Sequence, residues 1–571
     1  MEPAPKDEPP NGDGRIPFTF RIGVTGHREL DKPDDLREPI RQAALRLLTL
    51  VQVAPGTGLA LVVVSALAEG ADRLVAEAVL AAGEDQLVLK DVLAAGDDQV
   101  VLERVLGDVD ARLEVALPLP VEDYLEDFKT EESKEDFRRL LARARASDIW
   151  QAPAGLAREE AYERAGRYVV DRCDALMAVW DGEKSGGRGG TAAIVGYAQE
   201  QGVPIAWVHI AGGPPVSYAL QNKRAGVVKA AAEKLRMYNA AEIKKPKFDE
   251  RLRELRKELM PDLAREIPVD PLGLSRETIA DWVFPYFIRA DILALRYQRH
   301  FRWLSLAIFA LAALAVAVVA VQTNFWPGLN WLAAFEVVFL GTLLGILMMS
   351  RRLRLHDQWI SSRFLAERLR SSYFLALGKT GDQRGRSSRL TYLSDSSEAW
   401  IERALTEVSA RRPELHSAAP PIRALRDYLN RYWIESQISY QEKTSGRQHM
   451  FEYWLIRLTE FLFALTLVAA FVHIFASGIH GVWEGLIVVV SIAVPAFGAA
   501  VHGFRTQLQF RRHSDRYRRM AGLLAQMQAE MTDATTIEQV QHVAAATEQI
   551  MREENSDWFG VMRFHDMELI T

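Results

Sequence analysis

Three glycine-bearing segments in the N-terminal part of the chain combine free backbone N–H groups with polar side chains. They are Gly23–Arg28 (GVTGHR), Ser65–Asp72 (SALAEGAD) and Gly186–Thr191 (GGRGGT). Glycine lets a backbone approach a ligand closely, and free N–H groups at the start of a helix attract anions. His27 and Arg28 add side-chain donors that suit a phosphate group. These residue types predict a site for a nucleotide-type ligand, although glycine-rich turns can also serve only to turn the chain.

The predicted ligand-binding residues are Gly23, Thr25, Gly26, His27, Arg28, Glu69, Gly70, Asp72, Asp181, Gly189, Gly190 and Thr191. Two of them, Glu69 and Asp72, are carboxylates next to the predicted pocket. They could bind ribose hydroxyl groups or cap a helix, or they could act as acid and base in catalysis.

Apolar runs of strand length alternate with helical patterns from residue 17 to residue 212. The predicted strands are Phe18–Val24, Leu59–Ser65, Leu113–Leu117, Ala175–Trp180 and Pro204–His209. The predicted helices are Asp35–Val51, Ala71–Ala82, Asp136–Ala146, Glu159–Arg172 and Ala192–Gln201. This alternation predicts an α/β doubly wound parallel sheet of the Rossmann-like class. Ligands of such sheets bind beyond the carboxyl ends of the strands, where the three glycine segments fall.

Four later segments are long and apolar enough to cross about 30 Å of hydrocarbon. They lie at about 303–321, 331–349, 461–479 and 482–501, and they form two pairs with short connections. Arginine and lysine residues precede the first span and follow the second span of each pair, whereas the short connection within each pair contains none. This asymmetry predicts two helical hairpins whose turns face outward and whose chain termini are cytoplasmic. The sequences around the two hairpins are alike in pattern, which indicates a tandem repeat.

The predicted division has five parts. Residues 1–16 form a disordered tail, 17–212 the α/β domain, 213–284 a charged helical connector, and 285–410 and 411–571 two membrane units. Glu336 lies within the second span, and a carboxylate there is costly unless it faces protein or water. It could line a pore or anchor the helix at the outer interface.

Composition narrows the function classes. The chain has 571 residues, a net charge of −6 and a single cysteine, Cys173. A mild negative charge gives no reason to expect nucleic acid as a partner. One cysteine excludes an intramolecular disulfide and argues against a structural zinc site. We therefore predict that the protein contains no metal site and requires no cofactor. The single cysteine also suits a protein of a reducing compartment.

The motifs together resemble those of the SLOG superfamily of nucleotide-binding domains. SALAEGAD is similar to the SGxAxGID signature of DNA-processing protein A, and GGRGGT to the PGGxGT loop of the lonely-guy nucleotide hydrolases. The membrane half resembles SLATT domains, two-helix effector units often joined to SLOG domains. The resemblance implies a homo-oligomeric effector in a bacterial inner membrane, which senses a nucleotide or ADP-ribose-type ligand in antiphage or conflict signalling and forms a pore or disrupts the bilayer.

One position departs from the hydrolase pattern. The lonely-guy enzymes carry a catalytic glutamate three residues after the motif threonine, and this chain has Ile194 at that distance from Thr191. An aliphatic side chain cannot transfer a proton, so we predict binding without hydrolysis. Two alternatives stay open: a membrane-tethered hydrolase or transferase that uses Glu69 or Asp72, and a non-catalytic membrane scaffold.

Overall fold

The chain forms two compact units in this computed structural model. It describes residues 12–51, 57–84, 106–183, 187–210, 215–260, 273–378, 399–413, 421–475 and 481–563. The sheet unit consists of Arg15–Glu242 together with Asp382–Arg412. The membrane unit consists of Met1–Gly14, Ile243–Gly381 and Pro413–Thr571.

The sheet unit contains one seven-stranded sheet of order β4-β3-β2-β1-β5-β6-β7. Its strands are β1 (Phe18–Gly26), β2 (Thr57–Ser65), β3 (Leu106–Leu117), β4 (Ile149–Gln151), β5 (Ala175–Trp180), β6 (Ile205–His209) and β7 (Val216–Ala219). All neighbours are parallel except β6 and β7. Strands β2 and β5 are buried along their whole length, as expected for parallel strands covered on both faces. The predicted fold class is confirmed.

Helices cover this sheet. They are α1 (Pro33–Leu48), α2 (Ala71–Glu84), α3 (Val121–Leu125), α4 (Glu131–Leu141), α5 (Arg158–Arg172), α6 (Thr191–Glu200) and α7 (Lys223–Ala240). The core between α5, α6 and the sheet contains Val169, Leu176, Ile194 and Val195. Helix α4 begins after Thr130, whose side chain accepts a hydrogen bond from the Ser133 N–H, which is a standard N-cap.

Two parts of the sheet unit differ from the predicted division. The predicted connector 213–284 begins with β7, which pairs with β6 from Ile205 opposite Ala219, and continues with α7 in the same unit. A helix at Ala399–Ala410, within the predicted first membrane unit, also belongs to the sheet unit. A four-residue edge strand and a short helix carry too little local pattern to show which core they join.

The membrane unit is helical throughout its described residues, apart from turns. Its helices are α8 (Lys245–Leu259), α9 (Gly273–Phe325), α10 (Ala333–Leu353), α11 (Leu355–Leu377), α13 (Ile422–Tyr428), α14 (Ser436–Phe475), α15 (Val482–Leu508), α16 (Phe510–Asp533) and α17 (Ile537–Arg563); the helix of the sheet unit at Ala399–Ala410 is α12. A π-helical turn, Leu429–Glu435, joins α13 to α14.

Four helical stretches, within the residues the structure covers, are long and apolar enough to cross a membrane. They contain the predicted first and fourth spans. The second stretch begins at Ala333, two residues later than the predicted span 331–349, and residues 476–479 of the third predicted span lie outside the described residues. Large apolar side chains stay uncovered by protein there: Phe463 is 72% exposed, Val337 70% and Ile474 70%. Such continuous apolar surface is unfavourable in water and favourable in lipid. The chain is therefore expected to be associated with a membrane.

The two hairpins end in the same backbone geometry. Helix α10 is followed by Arg354 in the left-handed region (φ 47°, ψ 43°), and α15 by Gln509 in the same region (φ 47°, ψ 41°). In each case a new helix begins at the next residue. Left-handed backbone costs energy at a residue other than glycine, so its recurrence at equivalent points supports the tandem repeat.

Candidate functional site

The carboxyl edge of the sheet contains a topological switch point between β1 and β5. The chain from β1 proceeds to β2, β3 and β4 on one side, whereas β5, β6 and β7 lie on the other side. Ligands of open α/β sheets bind at such a point. The His27 N–H donates to the Val179 carbonyl at 3.0 Å, and His27 Nε2 lies 3.0 Å from Asp181 Oδ2. His27 and Asp181 thus meet across the switch point.

Neighbouring groups stabilise the ionised form of the Asp181 side chain. The Glu183 N–H donates to Asp181 Oδ1 at 2.9 Å. This hydrogen bond, followed by the neighbouring His27 side chain, lowers the pKa of Asp181. A carboxylate at this edge is an acceptor suited to the hydroxyl groups of a ribose.

The second glycine segment touches the first. Gly70 has φ +76°, and a Cβ there would lie 2.3 Å from the Arg28 carbonyl oxygen and 2.6 Å from that of His27. The Ala71 N–H donates to the His27 carbonyl at 3.0 Å. A Cβ on Gly26 would lie 2.4 Å from the Ala71 Cβ. Glycine is therefore required at both positions for the two loops to pack.

The third glycine segment opens α6. Gly189 has φ +89°, and a Cβ there would lie 2.7 Å from the Glu163 backbone nitrogen. Gly190 precedes the helix in extended conformation, Thr191 is its first residue, and its first turn contains no acidic side chain. The N–H groups of this turn can therefore receive an anion without competition from a local carboxylate. Gly186 lies outside the described residues.

Tyr162 of α5 connects the first and third segments. The Arg28 guanidinium lies 5.2 Å from the centre of the Tyr162 ring, a distance suited to a cation–π interaction. A Cβ on Gly189 would lie 3.1 Å from the Tyr162 carbonyl carbon. The Tyr162 hydroxyl donates to Asp127. Arg28 is thus held beside the start of α6 by a residue that sequence reasoning did not single out.

Asp72 is buried beneath the second segment. Ser65 Oγ donates to Asp72 Oδ2 at 2.9 Å, and the N–H groups of Ala66 and Ala68 also donate to this carboxylate. Burial outweighs these hydrogen bonds and raises the pKa of Asp72 to about 6. The hydrogen bonds of Asp72 hold the Ser65–Asp72 loop in place, and the residue is only 6% exposed.

Glu69 fastens the same loop to α4. Its Oε1 accepts hydrogen bonds from the Lys129 N–H at 3.1 Å and from Ser133 Oγ at 2.5 Å. Arg73 donates from Nη1 to the Ser133 carbonyl at 2.8 Å and from Nε to the Leu67 carbonyl at 3.0 Å. The partners lie about sixty residues apart in the sequence, so no local motif could have indicated Arg73 or Ser133.

Two residues of the motifs face the core of the sheet unit. Gly23 is buried within β1, and a Cβ there would lie 2.8 Å from Cys173 Sγ. The absence of a side chain at Gly23 therefore leaves room for Cys173. Ile194 is 3% exposed, and a Cβ on Gly166 would lie 2.4 Å from its Cδ1. An aliphatic side chain at position 194 thus fills the α5–α6 contact. Thr25 is half-buried on β1, opposite Ala178.

An aromatic stack borders the polar edge, and the sequence analysis did not predict it. The rings of Trp180 and Trp207 are stacked with centroids 5.2 Å apart, and those of Trp207 and His209 4.2 Å apart. Trp207 Nε1 donates to the Trp180 carbonyl at 2.9 Å. A Cβ on Gly182 would lie 3.0 Å from the Trp207 ring. Flat ring surface next to anion-binding groups is suited to a ligand with an aromatic base.

Helix α12 is bound to the sheet unit by buried ion pairs. Arg403 pairs with Asp174, whose other oxygen accepts the Arg21 N–H at 2.9 Å. Glu407 pairs with Arg112 at 3.0 Å and accepts a hydrogen bond from Thr19 Oγ1. Burial alone would raise the pKa of Glu407, but Arg112 and Arg411 more than offset it, and the pKa is lowered. We call these residues the α12 clamp.

Glu336, the predicted pore-lining residue, lies in the first turn of α10. A carboxylate interacts favourably with the positive end of the helix dipole at this point. This position gives Glu336 a local role at the helix terminus, and pore lining stays a prediction.

Residues 428–558 match the family described as SMODS and SLOG-associating 2TM effector domain 1. The matched segment runs from the π-helical turn through α14, α15 and α16 into α17 and contains the second hairpin. This match points to a membrane effector role in conflict or defence systems. No curated protein matches the chain. Among the described residues, no group of His, Cys, Asp or Glu side chains is arranged to hold a metal ion.

Proposed function

We propose that this protein is a membrane effector whose sheet unit senses a nucleotide-derived ligand. The observation that carries the proposal is the meeting of three glycine segments at the β1–β5 switch point, where His27 and Asp181 lie 3.0 Å apart. A resemblance of the same segments to SLOG domains supports it. The ligand is of the nucleotide or ADP-ribose type.

Each part of such a ligand has a partner at this edge. A phosphate group binds the N–H group of Thr191, the first residue of α6, and the side chain of Arg28. A ribose hydroxyl donates to Asp181. An aromatic base lies against Trp207. The assignment is supported by the exposure of these groups: Asp181, Thr191 and Trp207 are half-exposed, and Arg28 is exposed.

Control of the membrane unit runs through the chain itself. Helix α12 follows the first hairpin and precedes the second one in the sequence, yet it is bound in the sheet unit. A ligand shifts a conformational equilibrium only when it binds one state more tightly than the other. A ligand-induced change in the sheet therefore reaches both hairpins through the chain that α12 holds.

The membrane unit acts as a homo-oligomer that forms a pore or disrupts the bilayer of a bacterial cell. The hairpin turns face outward and both termini are cytoplasmic, in keeping with the exposed arginines Arg351, Arg352 and Arg354 after the second span.

The test is ion flux from liposomes that contain the purified full chain, after a thermal-shift screen has selected a stabilising nucleotide. Flux should depend on that nucleotide and should be lost in Arg28→Gln and Thr191→Ala. Arg164→Gln is the matched control, because Arg164 lies on the same unit in an exposed pair with Glu160. Binding without any change in leakage would reject the effector mechanism.

A hydrolase or transferase is the second candidate, favoured by the pKa of about 6 at Asp72, which suits proton transfer near neutral pH. Incubation with NAD and nucleoside monophosphates should then release free base, and tight binding without turnover would reject it. The scaffold alternative predicts that no nucleotide raises the melting temperature, since a ligand selective for the folded state must stabilise it.

A further inference from the structure

A polar cavity lies within the membrane unit. Its volume is about 60 Å³, and its walls come from α9, α11, α14, α16 and α17, together with the last residue of α15, Leu508. Arg302 of α9 directly precedes the first predicted span, and Phe510 of α16 follows the fourth. Both hairpins thus contribute to one chamber near the charged ends of their spans.

Three arginines and two glutamates line this cavity. Arg363 donates to Glu367 at 2.8 Å and to the Tyr440 hydroxyl at 3.0 Å. Arg516 pairs with Glu554. Arg302 forms no ion pair with any carboxylate in the part of the chain that the structure describes.

The charge balance of the cavity is therefore positive. Three guanidinium groups and two carboxylates leave a net charge of one, and Arg447 places a further positive charge near Arg302. A half-buried arginine without a counter-charge is unfavourable unless an anion joins it.

The wall also contains polar atoms without a partner. Trp558 Nε1 and Gln441 Oε1 are buried and make no hydrogen bond to any described residue. The Arg516 guanidinium lies 5.1 Å from the centre of the Trp558 ring, which fixes the indole at the cavity wall. A buried donor left unpaired is costly, so Trp558 supports a ligand that accepts hydrogen bonds.

We infer that this cavity binds a phosphate group, carried either by free phosphate or by the headgroup of an anionic lipid. The volume of about 60 Å³ is enough for about four to six water molecules, at roughly 10–15 Å³ each, and a phosphate has five heavy atoms. Arginine and indole N–H groups are donors that match phosphate oxygens. One negative charge balances the three guanidinium groups and two carboxylates of the wall.

The two sources can be separated with the full chain in an uncharged sugar detergent. Inorganic phosphate is one probe, and short-chain phosphatidylglycerol the other. Sodium chloride of equal ionic strength and diacylglycerol of the same chain length are the controls without phosphate. A higher melting temperature with phosphate assigns the site to the free ion, and a rise with phosphatidylglycerol alone assigns it to lipid.

Variants tie the effect to the cavity. Arg302→Gln should weaken the apparent affinity by about tenfold or more, since it removes a charge-assisted hydrogen bond. Trp558→Phe keeps an aromatic ring but removes one neutral donor, so the loss of affinity should be smaller, about threefold to tenfold. Arg352→Gln, an exposed arginine after the second span, should leave the affinity unchanged.

The inference is overturned if neither probe raises the melting temperature beyond its control. It is also overturned if both probes stabilise Arg302→Gln and Trp558→Phe as much as the unchanged chain, because the ions would then bind elsewhere. Should Arg302→Gln fail to fold, Trp558→Phe still decides the question. None of these variants touches the carboxyl edge of the sheet, so the result is independent of nucleotide binding.

Discussion

Asp72 and Glu407 are both buried in the sheet unit, at 6% and 2% exposure, yet their pKa values shift in opposite directions. Burial raises the pKa of Asp72 to about 6, because its main contacts are the hydroxyl of Ser65 and two backbone N–H groups. Burial acts on Glu407 too, but Arg112 and Arg411 reverse its effect and the pKa is lowered. The carboxyl edge of the sheet and the α12 clamp are thus built on different electrostatics.

The difference separates a binding surface from a structural joint. In the α12 clamp, each buried charge is paired with an opposite charge of the same unit, which leaves nothing for a ligand. At the carboxyl edge, the donors of His27 and of the start of α6 are half-exposed, and the side chain of Arg28 is exposed. The carboxylate of Asp181 is half-exposed as well. Mutations should therefore affect stability in the clamp and ligand binding at the edge.

The largest effect on stability is expected in the clamp. Arg403→Met should lower the free energy of unfolding by about 3–5 kcal/mol, because it leaves the carboxylate of Asp174 buried without its cation. Thermal unfolding of the full chain measures this loss. The control Arg164→Met removes an exposed pair with Glu160 and should cost less than about 1 kcal/mol. Equal losses in the two variants would contradict the assignment of a buried clamp.

A smaller effect should follow the titration of Asp72. The pKa of Asp72 is higher in the folded chain than its ordinary value of 3.8. Between about pH 4 and pH 6, Asp72 is therefore protonated to a greater extent in the folded chain than in the unfolded chain. Stability from this group is present below about pH 4 and is lost as the pH rises through about 6. The difference between the ordinary pKa of 3.8 and the folded pKa of about 6 corresponds to about 3 kcal/mol of folding stability.

Asp72→Asn removes this titration. The melting temperatures of the wild-type protein and of Asp72→Asn are measured from pH 4 to pH 8. The wild-type protein should lose stability relative to the variant as the pH rises. Parallel curves would mean that Asp72 is ionised at its ordinary pKa.

A backbone change should come next. Gly70→Ala forces a Cβ to within 2.3 Å of the Arg28 carbonyl at φ +76°, and strain of this kind costs about 1–3 kcal/mol. Gly196→Ala is the matched control on α6, where a Cβ meets nothing within 4 Å and alanine should stabilise the helix by about 0.5–1 kcal/mol. Nucleotide binding should weaken only in the first variant, as measured by titration calorimetry.

The smallest effect on stability, together with a clear effect on binding, is expected at the switch point. His27→Gln should change the free energy of unfolding by less than about 1 kcal/mol, since the pair with Asp181 is partly exposed. Affinity for the stabilising nucleotide should fall about tenfold, the usual worth of one hydrogen bond to a charged group. Unchanged affinity would remove His27 from the site.

Much of the fold could be predicted because its signals are local. The strand Ala175–Trp180 was predicted with the bounds that the structure has, and the membrane-length helices follow from apolar runs. Of the site, the placement of the glycine segments at strand ends was also predictable. The partners of Glu69 and the stack of Trp207 on Trp180 were not, because they join residues distant in sequence.

By itself, the sequence determined the alternation of strands and helices, the apolar spans and the glycines after the strands, since each depends on neighbouring residues. Only the tertiary structure decided that Gly23 and Ile194 serve packing, that α12 belongs to the sheet unit, and that Asp72 and Glu407 titrate in opposite directions. Burial and pairing are properties of contacts between distant residues, and an identical carboxylate has a different pKa according to what surrounds it.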